Sequence, residues 1–304
     1  GGLKIEIAFQ TQPRGEAREE APALRLTKRL WVNGLPRRAS ELVGQVKVVL
    51  FSSLDIELVA GSPALRRRFL DGTSCQVDAR YLRALQRYQR VLLQRNHLLR
   101  LIQEDKAVAD QLSFWDDELI AVGSYITFQR QRLVADLKGR ARRLHRELTG
   151  GDEELEVSYL CSLGKDFARE DEAQATFRDA LAARRRREIA LGMTLVGPHR
   201  DDLRFTAGGV DMSPYGSRGQ QRTVALSLRL AEMEFLGEQG GEPPLLLLDD
   251  VLSELDPRRR LYLLGLTASY QQALITTTDL AGLDAAFLGR CARFLVKQGK
   301  VEPL

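Results

Sequence analysis

A run of four leucines that ends in two aspartates constrains the fold of this chain more than any other feature. Leu245–Leu248 has no polar residue and is followed directly by Asp249 and Asp250. A short, continuous apolar run of this kind predicts a fully buried strand of an α/β sheet. Because α/β sheets bind ligands at the carboxyl ends of their strands, we expect the two carboxylates to lie at a functional edge. A core strand that ends in a solvated aspartate pair is the alternative.

A loop before a predicted helix is the second candidate site. Ser217, Arg218, Gly219 and Gln220 lead into an amphipathic helix predicted from Gly219 to about residue 237. Backbone N–H groups at a helix N-terminus, with a hydroxyl beside them, favour phosphate binding. The same residues also fit an ordinary serine N-cap, so both interpretations stay open.

A third motif, Ser253–Asp256, follows the aspartates, and Pro257 suits the first position of a helix. The order S-x-G-Q, four apolar residues with two aspartates, then S-x-L-D matches the distal half of an ABC-type ATPase head. In nucleotide hydrolases the first aspartate of such a pair holds Mg²⁺, and the next acid orients the attacking water.

The chain resembles the RecF family of bacterial recombination mediators, which are related to SMC-type heads. The resemblance covers nearly all of the chain and departs from the family pattern at Ser52–Asp55. The segments that carry it are Arg66–Asp71, Gly197–Asp202, Ser217–Thr223, Leu248–Asp256 and Ile275–Leu280.

The resemblance implies a role for each site residue. Asp249 would serve Mg²⁺, and Asp250 would polarise the attacking water. Ser217 and Gly219, with Arg218 and Gln220 in the same loop, would contact the nucleotide bound to the partner subunit. The remaining positions would line the dimer seam (Ser253, Asp256) or occupy the switch position (Thr277 or Thr278). For His199 and Arg200, a structural role and a sensor role both stay open.

The resemblance also implies a function. It indicates a cytoplasmic protein of DNA replication, DNA repair and the SOS response that dimerises with ATP and Mg²⁺. Such a protein binds double-stranded DNA and single/double-strand junctions and, with RecR and RecO, helps to load RecA. An SMC-like structural protein that holds DNA is the alternative. An ABC transporter head is disfavoured because nothing in the sequence supports coupling to membrane helices.

The printed sequence contains no G-x-x-x-x-G-K-[ST] loop, whose amides and lysine hold nucleotide phosphates. In this family the loop precedes the segment with which the sequence opens. We therefore expect an N-terminal portion to be missing from the sequence, and we expect the printed polypeptide alone not to hydrolyse ATP.

The middle of the chain predicts a helical arm. Apolar residues recur at helical spacing through Ala79–Thr149, interrupted by Arg95 and by a polar link, which predicts two antiparallel helices. The basic residues on the other faces favour either a solvated surface or a DNA-binding one. The candidates for DNA contact are Arg140, Arg142 and Arg143 in the arm and the run of Arg184, Arg185, Arg186 and Arg187.

The predicted fold is α/β: an ABC-ATPase-like head, lobe I, with an inserted and mainly helical arm, lobe II. We place a β part of the head at 1–60, the arm at 61–190 and the α/β part of the head at 191–304. Strands are predicted at Leu3–Phe9, Leu24–Leu26, Leu30–Val32 and Val46–Phe51, with a turn at Asn33 and Gly34.

Composition excludes several classes of protein. No apolar run approaches the ~18 residues of a membrane span. The three cysteines are far apart in the sequence, which excludes a disulfide scaffold and a cysteine-rich zinc site. A net charge of +4 is compatible with an acidic partner such as DNA.

Overall fold

The computed structural model describes residues 4–13, 24–151, 153–239, 242–280 and 283–304. Two residues of the predicted elements, Leu3 in the first strand and Asp152 after the arm, lie outside these ranges. The chain divides into two units: residues 1–49 with 54–245, and residues 50–53 with 246–304. This division is based on packing alone and does not test the three predicted domains, 1–60, 61–190 and 191–304, which stay a prediction.

The first unit contains most of the helices. Its elements are β1 (Ile5–Pro13), β2 (Leu24–Val32), β3 (Leu35–Arg37), α1 (Ala39–Leu42), β4 (Val48–Ser52, which crosses into the second unit), α2 (Ile56–Ala60), α3 (Pro63–Val77), α4 (Ala79–Gln103), α5 (Leu112–Thr149), β5 (Leu155–Leu160), α6 (Glu170–Leu191), β6 (Asp202–Ala207), β7 (Val210–Asp211), α7 (Met212–Tyr215) and α8 (Arg218–Glu238).

Two antiparallel sheets belong to the first unit, β1–β2–β3 and β5–β6–β7. The predicted strands Leu24–Leu26 and Leu30–Val32 form one strand, β2, which pairs with β1 along its whole length. The predicted turn between β2 and β3 is confirmed. Asn33 and Gly34 both have positive φ, 51° and 78°, the conformation of a tight hairpin turn whose twist matches the strands.

Helices α4 and α5 form the predicted antiparallel hairpin. The Tyr81 ring packs against Tyr125, and Arg95 pairs with Asp116, so the two helices run in opposite directions. The Asp78 carboxylate caps the start of α4 by accepting from the amides of the first turn, and α5 ends at Gly150 in the left-handed conformation.

Two arginines of the hairpin lie where the helical pattern did not place them. Arg95, which interrupts the predicted apolar stripe, is fully buried. Arg130 is one of the basic residues that we expected on the other faces of the two helices, and it is only 2% exposed. Burial is tolerated because each guanidinium is paired. Arg95 contacts Asp116 and Glu188, and Arg130 contacts Asp71.

The second unit contains the predicted leucine strand. Its elements are β8 (Leu245–Asp249), α9 (Pro257–Thr267), β9 (Ala273–Thr276), α10 (Ala285–Leu288), β10 (Phe294–Lys297) and β11 (Lys300–Pro303), with sheets ordered β4–β8–β9 and β10–β11. The strand is confirmed, but its full burial is not. Leu246 and Leu248 are buried, whereas Leu245 and Leu247 are half-buried, because alternate side chains point to opposite faces and one face is only partly covered.

Among the described residues, no helix is both long enough and apolar enough to cross a membrane.

Candidate functional site

The two aspartates lie at the carboxyl edge of the β8–β9 pair, as predicted. These strands are parallel, and the register places Asp249 opposite Thr276. The Thr276 hydroxyl donates to Asp249 Oδ1 at 2.7 Å, and the Asp250 amide donates to the same hydroxyl oxygen at 3.1 Å. The end of β9 therefore holds both aspartates in place.

Asp250 has an unusual backbone conformation. Its φ is 49°, in the left-handed region that few residues other than glycine adopt. The Ser253 hydroxyl lies within hydrogen-bond distance of the Asp250 carbonyl, at 2.9 Å, and of its Oδ1, at 3.1 Å. Asp adopts this conformation more readily than most residues, and the contacts with Thr276 and Ser253 stabilise it here.

Thr276 lies at this edge and was not among the predicted site residues. The assignment of the switch position to Thr277 or Thr278 stays a prediction: the Thr277 hydroxyl donates to the Asp279 carbonyl, and Thr278, like Thr276, is exposed. The signal that identifies Thr276 is topological. It is the last residue of the strand parallel to β8, and parallel strands end at the same edge of a sheet.

Asp256 caps α9. Its Oδ1 accepts from the amides of Arg258 and Arg259, each at 3.1 Å, and its Oδ2 pairs with the Arg259 guanidinium at 2.8 Å. Burial acts to raise the pKa of Asp256, but the backbone hydrogen bonds and the charge of Arg259 outweigh it, so the pKa is lowered. The carboxylate thus has a structural role in this unit whatever it does at a dimer seam.

The residues at this edge suit Mg²⁺ held together with phosphates. The Asp249 carboxylate and the Thr276 hydroxyl offer oxygen ligands, which Mg²⁺ prefers. The described residues include no group of three or more His, Cys, Asp or Glu side chains that could enclose a metal. Mg²⁺ commonly completes its coordination with phosphate oxygens and water, so it needs few ligands from the protein.

The predicted S-x-G-Q loop forms the start of α8. Ser217 is the N-cap: its hydroxyl accepts from the Gln220 amide at 3.3 Å, and the Gln220 side chain accepts from the Ser217 amide at 3.0 Å. This reciprocal capping box leaves the amides of Arg218 and Gly219 without an acceptor among the described residues. The N-cap interpretation is therefore correct, and it leaves donors available for an anion.

Exposure distinguishes the residues of this loop. Ser217, Arg218 and Gly219 are exposed, whereas Gln220 is half-buried and donates to Glu153 at 2.8 Å. A Cβ added at Gly219 would meet no atom closer than the Ser217 hydroxyl at 4.0 Å. The packing of this unit does not require glycine there.

The predicted DNA-contacting arginines fall into two groups. Those of α5 are paired with glutamates: Arg140 with Glu238, Arg142 with Glu154, and Arg143 with Glu147 and Glu234. In α6, Arg185 is held by Asp116 and by the Ala109 carbonyl. Arg184, Arg186 and Arg187 are exposed and pair with no acid in the described part of the chain.

The Gly197–Asp202 segment connects several helices and strands. Asp202 binds Arg66 of α3 through two hydrogen bonds, and the Pro198 carbonyl accepts from buried Arg130 of α5. Gly197 has a φ of 124°, and a Cβ there would lie 2.6 Å from the Tyr88 hydroxyl, so no larger residue fits. These contacts give the segment a structural role.

His199 supports the structural interpretation left open by the sequence. Its Nε2 lies 3.2 Å from the Thr194 carbonyl, which can only accept, so Nε2 carries the proton and Nδ1 accepts from the Tyr88 hydroxyl at 2.6 Å. Burial lowers the pKa of His199 to about 4, because the hydrogen bond to Thr194 does not offset the loss of solvation or the charges of Arg200, Arg67 and Arg95.

We expect His199 to make folding stability pH-dependent below neutrality. The folded-state pKa is lowered, so the stabilisation is present above pH 6.5 and is lost as pH falls towards 4, by at most roughly 3 kcal/mol. Replacing His199 with Asn keeps an acceptor for Tyr88 and removes the titration. The free energy of unfolding, measured by urea titration at several pH values, should differ between wild type and His199→Asn by an amount that shrinks as pH falls. A constant difference would contradict the assignment.

Known relatives place this chain in a family. No family model matches it. The DNA replication and repair protein RecF of Chloroflexus aggregans is 45% identical over 307 residues, covering 99% of this chain and 78% of that protein. The chain belongs to the RecF family. RecF of Synechococcus sp. (strain JA-3-3Ab) is 43% identical over 311 residues, covering 100% of this chain and 81% of that protein.

Solved RecF structures confirm the fold. The recombination mediator protein RecF-ATP in the RecFOR pathway matches with a TM-score of 0.82 and 33% identity, over 91% of this chain and 73% of that one, and the RecF-ATPrS structure matches equally. The predicted α/β, ABC-ATPase-like head with an inserted helical arm is confirmed, as are membership of the RecF family and a role in DNA replication and repair.

Proposed function

We propose that this RecF-family chain acts in an ATP-dependent recombination mediator. It dimerises when ATP and Mg²⁺ are bound, binds double-stranded DNA and single/double-strand junctions in the cytoplasm, and works with RecR and RecO to help load RecA. The observation that carries the proposal is the pair Asp249 and Asp250, held at the carboxyl edge of parallel strands by Thr276. Related RecF structures contain ATP or ATPrS, which supports the choice of nucleotide.

Each residue at the strand edge has a distinct task in this proposal. Asp249 and Thr276 hold Mg²⁺, which, when bound, neutralises charge on the phosphates. Asp250 accepts a hydrogen bond from the attacking water and thereby orients it. Ser253, which lies 3.1 Å from Asp250 Oδ1, limits the rotation of that carboxylate. Thr276 joins Thr277 and Thr278 as a candidate for the switch position.

The α8 loop completes the nucleotide site of a second copy. The exposed amides of Arg218 and Gly219 and the positive end of the α8 dipole suit the γ-phosphate of nucleotide bound to the partner subunit. The Arg218 guanidinium, which pairs with no acid among the described residues, adds a cation there. Nucleotide then bridges two copies, which makes dimerisation dependent on ATP.

An SMC-like structural protein is the weaker candidate. The arm consists of the single hairpin α4–α5, and at 1.5 Å per residue the 38-residue α5 spans about 57 Å. An arm of this length suits contact with a bound duplex better than enclosure of distant DNA segments.

The three free arginines of α6 are the best candidates for DNA contact. Arg184, Arg186 and Arg187 are exposed, whereas the candidate arginines of α5 are paired with glutamates that compensate their charge. Helix α6 packs against α4, whose exposed Arg83, Arg90 and Arg100 likewise pair with no acid in the described part of the chain.

DNA affinity should lose part of its salt dependence when the free arginines are replaced. With Arg184, Arg186 and Arg187 changed to Gln, we expect the slope of log affinity against log salt to flatten by up to about 0.9 for each phosphate that is no longer neutralised. The measurement is fluorescence anisotropy of a labelled duplex over a salt series with saturating ATP, using the full-length gene product.

The matched control changes Arg140 and Arg143 to Gln. It removes two cations that are already paired, so the slope should stay at the wild-type value. If the control flattens the slope and the α6 variant does not, DNA binds along α5 and the assignment to α6 is wrong. If no duplex binding occurs with ATP, the proposed function itself fails.

A further inference from the structure

A cleft of about 510 Å³ lies in the first unit, lined by α3, α4, α5 and the turn at Pro198 and His199. None of its lining residues belongs to the strand edge or to the α8 loop, so the proposed nucleotide chemistry leaves it unexplained. Its wall combines arginine side chains with aliphatic ones.

The arginines of the cleft are unequally compensated. Arg130 is buried and bound by Asp71, and Arg66, which does not line the cleft, is bound by Asp202 through two hydrogen bonds. Arg67, by contrast, donates to the Asp201 carbonyl at 2.9 Å but pairs with no carboxylate among the described residues. Arg68 is exposed and likewise pairs with no acid there. The guanidinium groups of Arg67 and Arg68 in the cleft wall thus have N–H groups available to bind an anion.

Arg67 is partly buried, so the lack of a paired carboxylate destabilises its charged form. Partial burial and then the charge of Arg130 lower the pKa of Arg67, and together they outweigh the acids around it. An anion placed against Arg67 would therefore be stabilised by an incompletely compensated cation in partly desolvated surroundings.

The rest of the cleft wall is suited to an aliphatic or aromatic side chain. Leu85 and Leu92 of α4 are partly exposed and pack on the buried core that includes Ile126. Tyr88 is only 3% exposed and its hydroxyl is bonded to His199. His199, the other aromatic side chain in the described cleft wall, is half-buried and hydrogen-bonded through both ring nitrogens. The wall therefore offers little aromatic surface on which a nucleic-acid base could stack, which favours a peptide over a single-stranded nucleic acid.

We propose that this cleft docks an acidic segment of a partner protein. A carboxylate of the segment pairs with Arg67 and Arg68, and an adjacent large apolar side chain lies on Leu85 and Leu92. The docking requires neither nucleotide nor DNA and is independent of the proposed function.

A glycine in the cleft wall offers a test that does not disturb the core. Gly72 of α3 lines the cleft, and a Cβ added there meets no atom within 4 Å. Gly72→Leu should place a side chain in the cleft, where it obstructs a bound peptide, while leaving helix stability unchanged or higher. Gly139 of α5 is equally open, is absent from the cleft wall and provides the control Gly139→Leu.

The experiment selects peptides from a random 12-residue phage-display library on the wild-type full-length gene product. We expect the enriched sequences to place Asp or Glu next to a large apolar residue. In fluorescence polarisation, a labelled enriched peptide should bind at least tenfold more weakly to Gly72→Leu and to Arg67→Gln with Arg68→Gln. Binding to Gly139→Leu should match wild type.

Several results would overturn the docking proposal. These are the absence of any enriched peptide, enrichment without acidic residues, and equal binding by Gly72→Leu that melts like wild type by circular dichroism. A labelled 12-nucleotide single strand whose binding is lost in Gly72→Leu, without peptide binding, would reassign the cleft to nucleic acid. ATP-dependent dimerisation and duplex binding, measured on the same variants, should stay at wild-type levels in every case.

Discussion

ATP hydrolysis by the full-length gene product should fall about a hundredfold or more in Asp250→Asn, while ATP binding stays close to wild type. Loss of a group that orients the attacking water removes stabilisation of the transition state and leaves ground-state binding largely unchanged. Because hydrolysis ends the nucleotide-bound state, the ATP-dependent dimer should persist in the variant.

The backbone at this position makes Asp250→Asn a clean substitution. Asn tolerates the left-handed conformation, here with φ of 49°, at least as well as Asp. Its side-chain oxygen can still accept a hydrogen bond from Ser253. The hydrogen bond from the backbone N–H of residue 250 to Thr276 does not involve the side chain. The charge on the carboxylate is the main property that changes.

Phosphate release and filter binding of radiolabelled ATP measure the two quantities separately. Asp249→Asn is the comparison: because Asp249 is assigned to Mg²⁺, that variant should lose Mg²⁺-dependent ATP binding as well as hydrolysis. Wild-type turnover by Asp250→Asn would remove Asp250 from the mechanism. Equal loss of binding in both variants would assign the two aspartates the same role.

Local patterns predicted most of the elements that carry the proposed site. Except at Val122, which is half-buried, the apolar stripe of α5 from Leu119 to Leu148 is buried as expected, because a helix must bury one face. The start of α8 differs from the predicted Gly219 by one residue. These features depend on residues that are close in the sequence, so a short segment of sequence is enough to predict them.

Features that depend on distant residues were not predictable in the same way. Arg95 was taken as an interruption of a stripe because its partner Glu188 lies 93 positions away. Thr276 was missed because its role depends on the register of β9 against β8. The pairing of Arg140 with Glu238 likewise requires α5 to pack on α8. In each case, the deciding interaction forms only when the tertiary structure forms.

ATP-dependent dimerisation should be lost in Ser217→Asp. Asp caps a helix as well as Ser does, so the start of α8 should keep its structure, but the new carboxylate would lie where we place the γ-phosphate of the partner's nucleotide. Repulsion between the two anions should weaken the ATP-induced dimer at least tenfold. Sedimentation velocity with and without ATP measures it.

The neutral control Ser217→Asn separates charge from capping. Asn is also a good N-cap and is close in size to Asp, so the Asn variant should dimerise much more like wild type than the Asp variant does. ATP binding by the monomer should be the same in both, because the contact is assigned across the dimer. If Ser217→Asp dimerises normally, Ser217 is only the cap that its hydrogen bond to Gln220 makes it. If both variants fail equally, the loop requires the hydroxyl itself, and the phosphate must lie nearer to Ser217 than to the amides of Arg218 and Gly219.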